Sequence, residues 1–125
     1  MARLRMTTDA EARYVTHAQQ EGDPLISCVT LSDLMKRVGV DQWDIIKLNV
    51  EGSEYDILSD IRGPVSRQIV VSFHEHTPQG RGDGAVAAIV EHLRQWYAVV
   101  QHEKEPRYCC PANWWDSVFV LKELA

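Results

Sequence analysis

The chain has 125 residues, enough for one domain with a real core, and its 18 acidic against 13 basic side chains leave a formal net charge of −5. Apolar residues make up 45% and charged residues 25%, the balance of an ordinary soluble globular protein. Lys and Arg cluster nowhere, which argues against nucleic acid and anionic membrane surfaces as partners, and no apolar run approaches the roughly 18 residues of a membrane span. Arg3 and Arg5 are not followed by the apolar stretch of a signal peptide. Cys28, Cys109 and Cys110 make an odd count without metal-knuckle spacing, so reduced thiols and a cytoplasmic setting are expected.

Residues 1–24 are polar and weakly patterned, and read as irregular or hairpin-like. A short strand follows over 25–29. Thr30 can cap a helix whose third position is Asp33, as in a capping box. Leu31, Leu34, Met35 and Val38 recur at helical spacing, and Gly39 supplies the stop. A strand is expected over 43–50, a helix over 53–61 that shows Ile57, Leu58 and Ile61, and a strand over 68–74 rich in β-branched residues. The loop 77–84 contains Gly80-Arg81-Gly82-Asp83-Gly84. It lacks the lysine and the spacing of a phosphate loop and reads as a plain loop or lid. Val86, Ile89, Val90, Leu93 and Tyr97 mark the next helix, and strands over 97–101 and 117–121 close the chain. Helices alternating with strands predict an α/β fold with a mostly parallel sheet, made mixed by an antiparallel final strand.

Chemistry concentrates at two strand ends. Side chains alternate along a strand, so Ile45, Lys47, Asn49 and Glu51 share one face. A lysine there needs a polar partner or an exit to water, which places a cleft or loop beside that face. Asn49 and Glu51 fall at the tip, where Gly52 lets the backbone turn. Tips of parallel strands are where ligands bind in open α/β sheets. Glu51 and Glu54 also suit a helix N-terminus by charge alone. The next strand ends in Ser72-Phe73-His74-Glu75-His76, with His74 and His76 on one face. If the two strands are parallel neighbours, both imidazoles emerge beside Asn49 and Glu51. Such a set can do general-base work or hold a divalent metal; its plainer reading is a solvated strand end. Trp114-Trp115 reads as a core anchor plus a surface ring.

The run Asp44-Ile45-Ile46-Lys47-Leu48-Asn49-Val50-Glu51-Gly52-Ser53-Glu54 resembles the signature of FkbM-type S-adenosylmethionine-dependent methyltransferases, Asp-hydrophobic-Ile-Lys-hydrophobic-Asp-Val-Glu-Gly-Ala-Glu. Thr30-Leu31-Ser32-Asp33-Leu34 is similar to that family's Thr-Leu-Asp-Asp-Leu helix start, the strand Ile69 to His74 to its polar-tipped strand, and Trp115 to Val120 to its closing antiparallel strand. The resemblance implies a partial Rossmann-like methyltransferase sheet, with S-adenosylmethionine as cofactor and a sugar or small-metabolite hydroxyl as methyl acceptor. Taken with the strand-tip reading, it points to His74 and Glu51 for catalysis and to Asn49, Glu54 and His76 for the substrate, with no metal expected and no cofactor-binding residue identified. Asn49 stands where the family carries an acid, so one carboxylate is replaced by an amide.

No glycine-rich loop precedes this run. The expectation is therefore an irregular segment 1–28 followed, over 29–125, by only the C-terminal half of the family's domain. A truncated chain of that kind would lack the cofactor-binding first half and bind S-adenosylmethionine poorly alone. It would leave an open sheet edge for a homodimer or a partner chain to cover. A non-catalytic binding or assembly module derived from such an enzyme is the alternative.

Overall fold

The computed structural model describes residues 3–8, 11–14, 25–75, 84–105 and 114–125. In chain order these form β1 (Arg3–Thr8), β2 (Glu11–Tyr14), β3 (Leu25–Val29), α1 (Leu31–Val38), β4 (Trp43–Leu48), α2 (Glu54–Ser59), β5 (Ser66–His74), α3 (Ala85–Leu93), β6 (Tyr97–Glu105), β7 (Trp114–Leu121) and a terminal 3-10 turn, Lys122–Leu124. His76, the loop 77–83, Cys109 and Cys110 lie outside the described residues, as do the expectations attached to them.

Two sheets result. One has the order β2-β1-β3, the other β4-β5-β7-β6. β4 runs parallel to β5, with Ile46 opposite Ile69 and Leu48 opposite Val71, as the strand–helix–strand spacing predicts. β1 and β3 are also parallel. The pairs β1–β2, β5–β7 and β6–β7 are antiparallel. The described strands thus form mixed sheets with more antiparallel than parallel pairings, which corrects the expectation of a mostly parallel sheet. The reason is connection length. A parallel crossover needs a dozen or more residues, and the short link between β1 and β2 allows only a hairpin-like reversal. β7 then enters between β5 and β6 and opposes both.

The helix signals at α1 act as read. Thr30 Oγ1 accepts from Asp33 N at 3.1 Å, and Gly39 takes the left-handed conformation (φ 69°) that ends the helix. No α1 residue is buried, so its apolar stripe is only partly covered.

The core lies on one face of the four-stranded sheet. Ile69, Val71 and Phe73 from β5, Tyr97 from β6, and Phe119 and Leu121 from β7 pack with Tyr55, Leu58 and Ile61 near α2 and Val86, Ile89, Val90 and Leu93 of α3. The opposite face is more open: Ile45 is 60% exposed, as expected for the lysine-bearing side of β4. One polar hub anchors the start of β5. The buried Tyr97 hydroxyl accepts from Val65 N (3.1 Å) and Ser66 N (3.2 Å) and donates to Ser66 O (2.9 Å). Trp43 N donates to Val65 O at 2.9 Å, tying the start of β4 to the same turn. With their starts fixed, β4 and β5 deliver their C-terminal tips side by side.

Candidate active site at the tips of two parallel strands

Past Leu48 the backbone leaves β4 and turns sharply. Glu51 adopts φ 54° and Gly52 φ 109°. The left-handed conformation is open to glycine, but for a non-glycine residue such as Glu51 it costs roughly 1–3 kcal/mol. The turn aims the Glu51 side chain outward, 67% exposed, and swings Glu54 inward at the start of α2.

Glu54 is fully buried, and both of its oxygens are engaged. Oε2 accepts from Gly52 N at 2.7 Å, closing the turn. Oε1 accepts from His74 N at 2.7 Å, across the gap to the tip of β5. The same oxygen lies 3.0 Å from His74 Nδ1. The other ring nitrogen, Nε2, faces Glu51 Oε1 at 3.9 Å. A row therefore runs from inside to outside: buried Glu54, His74 at 2% exposure, exposed Glu51.

Parallel pairing thus brings Glu51, Glu54 and His74 together. Asn49 is exposed just past the end of β4. The structure encloses Glu54, which leaves its carboxylate directed at protein groups. The described residues include no group of three His, Cys, Asp or Glu side chains able to hold a metal ion.

The neighbouring strand ends add a wall that sequence reasoning missed. Trp115 Nε1 donates to Glu75 Oε1 at 2.8 Å, and Lys104 Nζ lies 3.8 Å from Glu75 Oε2 and 5.5 Å from the Trp115 ring centre. His102 stacks on Trp115, ring centres 4.5 Å apart, with Nδ1 2.6 Å from Ser117 Oγ. Burial, with Arg94 adding to it, holds the His102 imidazole below its usual pKa. Ser72 Oγ donates to Asp116 Oδ1 at 2.7 Å. The position of Glu75 between the two histidines of the His-x-His pattern was the available signal.

Two buried hydroxyls flank Glu54 in the chain. Ser53 Oγ and Tyr55 Oη have no hydrogen-bond partner among the described residues. Burial, reinforced by the charges of Glu54 and Glu75, pushes the Tyr55 phenol well above its ordinary pKa. A separate cleft of about 840 Å³ opens at the starts of β4 and β5, between α1 and the α2–β5 turn. None of Glu51, Glu54 and His74 lines it.

The sequence profile of the methyltransferase FkbM domain matches residues 2–104. The chain belongs to the FkbM methyltransferase family. No curated protein matches it, and no solved structure does. The FkbM match begins at residue 2, within the segment expected to be irregular or hairpin-like, and ends at Lys104 within β6. It overturns the expectation that FkbM homology is confined to a C-terminal half over 29–125. Residues 3–8 and 11–14 form paired strands, and Arg3-Leu4-Arg5-Met6 and Glu11-Ala12-Arg13-Tyr14 do alternate polar and apolar residues, a strand signal only four residues long in each. Membership associates the chain with S-adenosylmethionine-dependent methyl transfer and with small-molecule or sugar acceptors. Among the described residues no helix is long and apolar enough to cross a membrane.

Proposed function

We propose that the chain takes part in methyl transfer from S-adenosylmethionine to a hydroxyl of a sugar or small metabolite, at the tips of β4 and β5 in a Rossmann-like sheet. The observation that carries this reading is the Glu54–His74–Glu51 row, whose two carboxylates come from the run that resembles the family signature. S-adenosylmethionine, when bound, supplies an electrophilic methyl group on a positively charged sulfur. The side chains here suit a cationic donor: Glu51 offers an exposed carboxylate at the tip, beside the exposed amide of Asn49, and these two residues would hold it.

Within the row the proposed roles follow burial. Glu51, at the mouth, faces the donor and leaves the acceptor hydroxyl to donate its one hydrogen to the imidazole behind. His74 stands behind it and takes the proton at Nε2 as the acceptor oxygen becomes nucleophilic. The positive charge that develops on the imidazole lies between two carboxylates.

The test is transfer of a labelled methyl group from S-adenosylmethionine to a panel of sugars and hydroxylated metabolites, run with calorimetry of cofactor binding. His74→Ala is expected to lower turnover about a hundredfold or more, the usual scale for loss of a general base. Circular dichroism should be unchanged. Equal rates for wild type and His74→Ala would remove the base assignment. Failure to bind the cofactor or to methylate any acceptor would remove the methyl-transfer reading.

A further inference from the structure

Glu54 is fully buried, so a substrate cannot reach its carboxylate directly. Its three partners all belong to the two strand tips: the Gly52 amide, the His74 amide and the His74 ring. We infer that Glu54 is a positioning residue that locks His74 in the tautomer with hydrogen on Nδ1, leaves Nε2 as the acceptor nitrogen facing Glu51, and ties that imidazole to the turn carrying Glu51.

The argument is one of donors and acceptors. A carboxylate has only acceptors to offer, and each oxygen here already accepts one backbone N–H. A ring nitrogen 3.0 Å from Oε1 has to bring its own proton, because a bare lone pair would face a lone pair. A neutral imidazole carries one N–H, so hydrogen on Nδ1 leaves Nε2 able to accept. The bond from His74 N to the same oxygen holds the backbone that carries the ring, so the residue cannot withdraw from the carboxylate without breaking a second bond.

The other oxygen sets the second half of the device. By accepting from Gly52 N it closes the turn that puts Glu51 at φ 54°. One buried carboxylate thus fixes both the nitrogen that accepts a proton and the direction of the carboxylate 3.9 Å from it. The two site side chains come from strands twenty-odd residues apart in sequence, and sheet pairing alone does not determine their rotamers.

The catalytic consequence rests on the methyl-transfer reading, but the tautomer does not. The decisive measurement is therefore made on the protein without substrate. Long-range proton–nitrogen correlation spectra of histidine-labelled protein distinguish the two neutral tautomers, with His74 assigned from the His74→Gln spectrum. The expected result is a protonated Nδ1 and an unprotonated Nε2 for His74, held as one species. Hydrogen on Nε2, or fast exchange between tautomers, would overturn the inference without any variant having to fold. Glu54→Gln then adds a second readout. Its amide cannot accept at both ends, so the His74 tautomer preference should weaken, and kcat should fall at least tenfold with KM little changed. An unaltered tautomer in a folded Glu54→Gln protein would also overturn it. If His74 shows the expected tautomer and no acceptor is methylated, the positioning role stands and the methyl-transfer reading fails.

Discussion

β5 is held at both ends by a buried polar hub, and the two hubs differ in kind. At its start the Tyr97 hydroxyl closes on backbone groups alone, two N–H donors and one carbonyl of Val65 and Ser66. At its tip Glu54 takes two backbone N–H groups and then continues into an imidazole that leads to an exposed carboxylate. The first hub ends where its hydrogen bonds end. The second carries its order outward to the surface. A closed hub serves stability, whereas a hub that continues into titratable groups also sets up chemistry. Loss of one should leave the other's function intact.

The sharpest way to test that division is Tyr97→Phe. It leaves the buried N–H and carbonyl of Ser66 and the half-buried N–H of Val65 without their partner, at about 1–3 kcal/mol for each buried group left unsatisfied. Urea unfolding should therefore show a loss of about 3 kcal/mol or more, with the His74 tautomer unchanged. A shift in the His74 signals would mean that the two ends of β5 are coupled. The complementary variant, His74→Ala, should lose about a hundredfold in turnover, which is close to 2.7 kcal/mol of barrier, with a smaller change in stability.

Glu51→Gly comes next. It relieves the left-handed backbone of a non-glycine residue and should raise stability by up to about 1 kcal/mol while lowering methyl transfer. Stability and activity moving in opposite directions is the outcome expected of strain kept for function. A loss of both would place Glu51 in the fold instead.

Two pH effects complete the set. The Tyr55 phenol is raised in the folded state, so above pH ~10 the unfolded chain releases a proton that the folded chain keeps. Stability is thus full below that pH and declines as pH rises beyond it. Tyr55→Phe should remove that decline and, since the hydroxyl has no partner among the described residues, leave neutral-pH stability equal or slightly higher. His102 is lowered, so the sign reverses. Its contribution is complete above pH ~6.5 and is lost as acid protonates the unfolded chain more readily than the folded one. His102→Gln should flatten the acid limb of the stability curve.

What the sequence made legible followed local rules. The Thr30 cap, the Gly39 stop and the parallel β4–β5 pair are each decided within a few residues or by one connection length. The approach of His74 to Glu51 followed from that pairing. The placement of β7 between β5 and β6 depends on which strand edge is open, information that no single window holds. The positioning contact of Glu54 was hidden for a different reason. An acid in the first turn of a helix is already explained by the helix dipole, so nothing in the sequence asked for its second partner on β5. Tyr97 reads equally well as the end of an apolar helical stripe, and only the structure shows its hydroxyl closing the far turn.

β4 ends its sheet among the described strands, with β5 on one side only. In a paired strand successive amides point alternately to either side. Those of β4 should therefore exchange with deuterated solvent as a comb, slow where they face β5 and fast where they face outward, whereas β5 and β7, paired on both sides, should exchange slowly throughout. Asp44 and Lys47 sit along this edge, and charges so placed hinder a stray strand from adding to it. Any real partner would have to meet those charges, and its arrival would erase the fast teeth of the comb and leave the slow ones unchanged.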